Sequence, residues 1–360
     1  MNMIEKSLVT SYKKGIDNQE YIYSIVDVKR NLVFEIKRNC LVFFFFLFSR
    51  RNKSLDRNKF KIINGAHQNR ILSEAEGTPV LIGSSLVNIS KTTLSGSLFS
   101  FFSLREISGL FFSSLSLYIK ANRRGFPADA LEFTAIQKMF RKFSPVSIEI
   151  SGHFDRYSTW IGYLAEAYNS NLTISQHGCV ASEALPYKIP CTSLKAFNED
   201  EARCFEQYII EKRNGFLLTI KGLYSAVKFV KFDNQSNQKL IAIPTGVDHL
   251  KEGMVEVIKG IRKSDANAII FLYIHPTGDL NNFAALKQYD VVFCRKERYE
   301  NIDILITYFS SLVYDYQSIG FKGRIICFQD DQTINRIPAM FSNENVHLCT
   351  SVNKILEYVS

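Results

Sequence analysis

Apolar positions along the chain fall into short runs separated by helical patterns, most regularly in the second half. Residues 1–75 mix strand-like and helix-like stretches without a clear order. Pro79–Gly83 reads as a short buried strand, and 95–116 fits one or two helices loosely. From 129 to 143, Leu131, Phe133, Ile136, Met139 and Phe140 recur at helical spacing, and Pro145 stops the pattern. Val146–Ile150 and Leu172–Gln176 are strands around a helix that Asp155 caps and that runs through Trp160, Leu164 and Tyr168. Residues 196–232 look largely helical, and the polar stretch 232–238 reads as a linker. A second alternating series follows. Strands are expected at 239–243, 268–274, 291–294, 304–309 and 324–328, with helices at 247–262, 281–288, 311–319 and 352–359. Such alternation predicts parallel sheets with helices on both faces. The expected fold is α/β, with two Rossmann-like domains facing across a cleft: residues 1–235, with a basic, Phe-rich start, and residues 239–360.

Composition narrows the class. With 46% hydrophobic and 22% charged residues the chain is globular. Its 360 residues suit two domains better than one. Seven single cysteines, none in a C-x-x-C, point to reduced thiols and a cytoplasmic setting. Six isolated histidines give no metal-ligand spacing, so no metal and no cofactor are expected.

The net charge of +9 is uneven: residues 1–70 hold 14 Lys/Arg against 6 Asp/Glu, a balance of +8. Within them Leu41–Phe48 is an unbroken apolar run of eight, followed by Ser49-Arg50-Arg51. Eight residues fall far short of the ~20 that span a bilayer. The run reads as a buried strand or core helix with a basic cap, or as an apolar patch resting on the inner face of the cytoplasmic membrane. Residues 1–70 are thus the expected contact with an anionic membrane surface. A non-catalytic membrane or nucleic-acid adaptor is the alternative; against nucleic acid stand the Phe-rich run and the lack of any recognition motif.

The candidate chemistry sits at strand ends. His275-Pro276 ends one apolar run and Ser310-Ser311 another, where ligand-binding loops of open α/β sheets lie. An imidazole and two hydroxyls at a helix start suit a phosphate, and Asp315, one turn on, suits a ribose hydroxyl. Two histidines end strands of the first half: His153 (with Asp155 in Ser-Gly-His-Phe-Asp) and His177 (in Ser-Gln-His-Gly). Either has the pKa of a base near neutral pH, with His177 ranked first, while Asp155 also reads as a simple helix cap. Glu149 points either inward or to solvent, and His67, His249 and His347 read as surface or packing residues.

The His-Pro and Ser-Ser pairs resemble the paired motifs of bacterial sialyltransferases and the related Kdo transferases of capsule and lipopolysaccharide. Gln176-His177-Gly178 is similar, more weakly, to the His-Gly of CDP-glycerol glycerophosphotransferases. The resemblance covers roughly residues 146–330 through motifs of two or three residues. It implies the GT-B architecture, contact of His275, Pro276, Ser310 and Ser311 with the CMP part of a nucleotide-sugar, and His177 as base. The paired-acid-plus-Gly triplet that sialyltransferases use as base is absent here. The expected function is a metal-independent glycosyltransferase extending a glycan or lipid-linked glycan. The alternatives are transfer of a polyol phosphate from a CDP donor and epimerisation of a UDP-sugar.

Overall fold

The computed structural model describes residues 3–25, 32–49, 58–64, 72, 75–83, 96–152, 155–176, 178, 184–221, 228–245, 250, 253–275, 278–295, 297–308, 310, 312–328 and 346–359. The chain divides into two compact units, residues 1–177 with 183–221, and residues 222–360 with 178–182. The division lies upstream of the expected linker. Residues 232–238 sit inside the second unit, because the preceding segment Lys228–Val230 is already a strand paired within it.

The first unit contains α1 (Met3–Ile25), α2 (Leu32–Phe48), β1 (Lys59–Ile63), β2 (Thr78–Leu81), α3 (Leu104–Lys120), α4 (Pro127–Phe143), β3 (Ser147–Ile150), α5 (Arg156–Ala167), β4 (Asn171–Ser175), β5 (Ile189–Ala196), α6 (Glu199–Cys204) and β6 (Ile210–Ile220). Its strands form one parallel sheet in the order β2-β1-β3-β4-β5-β6. One of the alternatives for the Phe-rich run is selected here, and one expectation is corrected. The Phe-rich run is the end of a helix, α2, whose Val42, Phe45 and Phe46 are buried while Leu47 and Phe48 are exposed. The helix expected over 196–232 is present only over 199–209; from Ile210 it gives way to the edge strand β6, which pairs with β5, a strand the apolar pattern did not mark. Alternation is lost in β6 because Leu217, Leu218 and Ile220 remain exposed at the sheet edge.

Helix α1 is fixed by specific contacts. The only tryptophan, Trp160, is fully buried on α5; it donates from Nε1 to the Tyr12 carbonyl at 3.0 Å and stacks on the Tyr12 ring at 5.7 Å. Asn18 donates to Thr159 Oγ1 at 2.9 Å and to the Tyr187 carbonyl at 2.7 Å. Gly15 allows this approach: a Cβ there would run into the Trp160 indole and lie 3.0 Å from the Arg156 carbonyl. Gly15→Ala is therefore expected to destabilise the unit by about 1–3 kcal/mol through overpacking, despite alanine's better helix propensity. Thermal denaturation followed by Trp160 fluorescence checks this, and an unchanged or raised midpoint would contradict it.

The second unit contains β7 (Lys228–Val230), β8 (Leu240–Pro244), α7 (Met254–Ser264), β9 (Ile269–Tyr273), a 3-10 helix (Leu280–Tyr289), β10 (Val291–Cys294), β11 (Glu297–Tyr299), β12 (Ile304–Thr307), α8 (Leu312–Ser318), β13 (Arg324–Phe328), β14 (Val346–Cys349) and α9 (Val352–Val359). Six strands form a parallel sheet in the order β10-β9-β8-β12-β13-β14; β7 and β11 form a separate parallel pair. In chain order along this sheet the sequence is 3-2-1-4-5-6, the Rossmann arrangement. Strands β8 and β12 are apolar runs because both faces of a central parallel strand are covered. Ile243, Ile258, Ile270, Leu272, Ile306 and Ile355 lie within one core cluster. The helix expected over 247–262 begins instead at Met254, after Gly253 at φ 83°, and continues to Ser264.

Both units are thus Rossmann-like α/β domains, as the alternating pattern predicted. Residues 179–183 and 329–345 lie outside the described residues, as do several strand-end loops.

Candidate functional site

In the Rossmann order, the chain winds outward in both directions from the boundary between the first and fourth strands. Here that boundary lies between β8 and β12, and a ligand crevice is expected beyond their carboxyl ends. His275 follows β9 and Ser310 follows β12, so they stand on either side of the end of β8. Two steps of about 4.8 Å between strands put their backbones roughly 10 Å apart. The same edge of the same sheet carries both.

Thr245, the residue after β8, ties this edge together. Its N–H donates to the Tyr273 carbonyl at 2.9 Å, and its Oγ1 accepts from the His275 N–H at 3.1 Å. The His275 carbonyl accepts from the Gly278 N–H at 2.8 Å, closing a tight turn, and His275 itself is exposed. Ser310 is half-buried, and its Oγ accepts from the Leu312 N–H at 3.3 Å, which leaves its hydroxyl hydrogen to donate elsewhere. Helix α8 has only seven residues, so the hydroxyl carries more of any anion affinity than a helix dipole would. Asp315 lies one turn into α8 and is 8% exposed. Pro276 and Ser311 lie outside the described residues.

Arg298 is a member of this edge that the motif reading passed over. It follows β10 through Cys294-Arg295-Lys296-Glu297, a basic cluster at a strand end that was a usable signal. The guanidinium sits 4.5 Å over the Tyr273 ring and donates to the Glu297 carbonyl at 2.9 Å. It is 7% exposed, and its Nε has no hydrogen-bond partner among the described residues. Burial lowers its pKa from the ordinary arginine value, and the tyrosines Tyr273 and Tyr316, with Asp315, act in the other direction. The Tyr273 and Tyr316 hydroxyls are 2.9 Å apart, Tyr273 accepts from the Tyr299 N–H at 2.9 Å, and Tyr316 donates to the Tyr299 carbonyl at 2.8 Å. Burial pushes the Tyr273 phenol up to about 12, so it stays protonated at neutral pH. These bonds fix β11 and α8 against the end of β9.

In the first unit, His153 and His177 lie outside the described residues. Asp155 caps α5: its Oδ1 accepts from the Ser158 N–H at 2.8 Å and the Ser158 hydroxyl at 2.7 Å, and its Oδ2 accepts from Asn64 at 2.9 Å. Both carboxylate oxygens therefore have partners. Asn64 follows β1, and Asp155 follows β3, next to it in the sheet, so this edge too brings polar groups together at the carboxyl end. Glu149 accepts from Lys195 at 2.7 Å and from Ser175 across the sheet. Gln176 donates to Glu201 at 2.6 Å and accepts from the Phe197 N–H at 2.8 Å, anchoring the strand end before His177. His347 stacks on Tyr358 at 4.6 Å, a packing role as expected.

The fold and this edge define a protein of two Rossmann-like domains, with a polar, partly basic carboxyl edge in the second. No protein-family model matches the chain, and none of the curated proteins matches it. Among solved structures, it is similar to a UDP-GlcNAc 2-epimerase from Neisseria meningitidis bound to UDP-GlcNAc (10% identity, 84% of this chain and 90% of that one, TM-score 0.44). It is also similar to a glycosyltransferase from Rickettsia africae (11%, 84% and 86%, 0.42) and to the calicheamicin glycosyltransferase CalG4 (8%, 85% and 89%, 0.48). At these values the likeness assigns no activity, and the functional reading rests on the chain's own residues.

Proposed function

We propose that the protein is a glycosyltransferase of GT-B type that uses a nucleotide-activated sugar. The observation that carries this reading is the pair His275 and Ser310, flanking the β8 end at the winding boundary of a 3-2-1-4-5-6 sheet. In this reading His275 donates to a phosphate oxygen of the leaving nucleotide, Ser310 and Ser311 add hydroxyl donors, and Pro276 fixes the turn. Arg298 supplies positive charge close by, and Asp315 meets a ribose hydroxyl. Donors aimed at the departing phosphate stabilise the charge that develops as the glycosidic bond breaks. His177, with His153 and Asp155 behind it, takes the proton from the acceptor hydroxyl. The donor is proposed to be CMP-linked, of sialic acid or Kdo type, on the strength of the two short motifs, and the acceptor to be a bacterial surface glycan.

Thermal-shift titration with CMP, CDP, UDP and GDP tests the donor, since a ligand of the native state alone raises the midpoint. CMP is expected to give the largest rise. A rise with UDP alone removes the CMP assignment, and sugar analysis after incubation with a UDP-sugar then separates transfer from epimerisation. No rise with any nucleotide, at concentrations up to several millimolar, overturns the reading.

A further inference from the structure

Helix α3 turns an apolar face outward. Leu104 is 83% exposed, Phe112 69% and Ile119 57%, with Phe111 and Leu115 also exposed between them. At about 100° per residue these five positions fall within an arc of roughly 100°, while Leu110 and Ser114, the buried positions, lie on the other side. The end of α2 extends the same surface: Leu47 and Phe48 are about three-fifths exposed, and the Phe46 and Phe111 rings are 6.5 Å apart. A groove of about 460 Å³ between the two helices is lined by apolar side chains and Ser108. The helix is firmly held. Ser103 and Glu106 form a reciprocal capping box, and Lys142 bonds Glu106 at 2.9 Å. Grouped exposure on this scale, rather than scattered single residues, marks a contact surface.

The charges around the stripe select its occupant. Arg105 is exposed at one end, and Lys120 and Arg123 are exposed at the other. The helix has one acid, Glu106, which faces Ser103 and Lys142. The first 70 residues of the same unit add a balance of +8. A second copy is a poor occupant: antiparallel pairing of two α3 helices sets Arg105 against the partner's Lys120 and Arg123, and parallel pairing sets each cation against itself. No helix among the described residues is long and apolar enough to cross a membrane.

We propose that the outer face of α3, with the exposed end of α2, docks on a bilayer surface that carries anionic lipids. Phe111, Phe112 and Leu115 enter the headgroup and upper acyl region, and the basic residues at the two ends meet lipid phosphates. Of the Leu41–Phe48 run, Val42, Phe45 and Phe46 are buried, and its exposed end, Leu47 and Phe48, joins this surface. The inference does not depend on the transferase reading.

The test is vesicle flotation of the full-length protein with phosphatidylcholine alone or with phosphatidylcholine containing phosphatidylglycerol, in low and high salt. Binding to the anionic vesicles in low salt, and its loss in high salt, is expected. Phe112→Ser with Leu115→Ser should reduce partitioning at least about tenfold, since both side chains leave water on docking. Arg105→Glu should reduce it by about fivefold or more for the lost cation. These positions are exposed, so Trp160 fluorescence should confirm that each variant is folded, and nucleotide thermal shifts should stay unchanged. Absence of binding to either vesicle overturns the proposal, as does binding that the Phe112/Leu115 variant retains. A dimer in sedimentation velocity that the same variant abolishes also overturns it, because the face then belongs to a second copy.

Discussion

Asp129→Ala is expected to lower the stability of the first unit by about 3–5 kcal/mol, because it removes one member of a fully buried charge cluster. Asp129 accepts from Arg38 at 2.7 Å, lies 3.2 Å from Arg156, and accepts from the Phe126 N–H at 2.7 Å. Glu132, one turn further along α4, lies 3.2 Å from Arg38 and accepts from Tyr157 at 2.6 Å and from the Gly83 N–H at 3.0 Å. The cluster joins α2, α4, α5 and the end of β2, and all four charged side chains are buried, so losing one carboxylate leaves two guanidinium groups facing a single acid. Desolvation raises Glu132's pKa despite its donors. Urea denaturation followed by Trp160 fluorescence reads this unit, since Trp160 lies in it and the chain has one tryptophan. A midpoint shift of roughly 1–3 M is expected from ordinary urea slopes. Arg156→Ala in the Asp129→Ala background should cost much less than in the parent, because its partner is already gone. Additive losses would show that the pair is not coupled.

The same residue gives a pH signature. Burial alone would raise the Asp129 pKa, but Arg156 and Arg38 outweigh it and hold the carboxyl below its ordinary value. A group with a depressed folded pKa contributes stability that is present above its unfolded pKa, near 3.9, and that is lost as pH falls through the folded value. The parent protein should therefore lose stability more steeply than Asp129→Ala as pH drops below about 4.

His275→Ala is expected to weaken nucleotide binding and to lower kcat/KM by roughly 10- to 100-fold, the range for a hydrogen bond to a charged group. Ser310→Ala should act in the same direction and less strongly, since a neutral hydroxyl donor is the weaker partner for phosphate. Thr245→Val separates contact from positioning. It keeps the shape at the β8 end but removes the oxygen that accepts the His275 N–H, so KM should rise modestly while kcat changes little. Calorimetric titration of the preferred nucleotide into each variant, beside steady-state rates, checks the set. Equal affinity in the parent and His275→Ala would remove this edge from the proposed site.

Much of the second unit was legible because its strands are short apolar runs, buried on both faces and bounded by turns. Ile269–Tyr273, Ile304–Thr307 and Arg324–Phe328 are strands within a residue or two of where the pattern put them. In the first unit the pattern placed Pro127–Phe143, Ser147–Ile150, Arg156–Ala167 and Asn171–Ser175, but the local signal misled further on. Residues 210–220 lie at a sheet edge, where one flank is open and exposed leucines break the alternation, so only pairing with β5 makes them a strand. The strand β5 itself begins Ile189-Pro190, and its proline reads locally as a turn. The site was legible as pairs at strand ends, and the basic cluster after β10 offered a signal for Arg298 that the pairs did not include; Thr245 was not legible, since a threonine announces no role without its neighbours.

By itself, then, the amino-acid order determined which segments are buried, and with them the alternation that makes two parallel-sheet domains. Tertiary structure alone decided the strand order that stands β9 and β12 on either side of β8, and so brings His275 and Ser310 to one edge although 35 positions separate them. It also decided that Arg38 meets Asp129, 91 positions away, and that α3 presents its Phe and Leu side chains outward. The reason is physical: hydrophobic periodicity records how much of a segment leaves water, whereas the neighbour it meets depends on long-range pairing that no local pattern encodes.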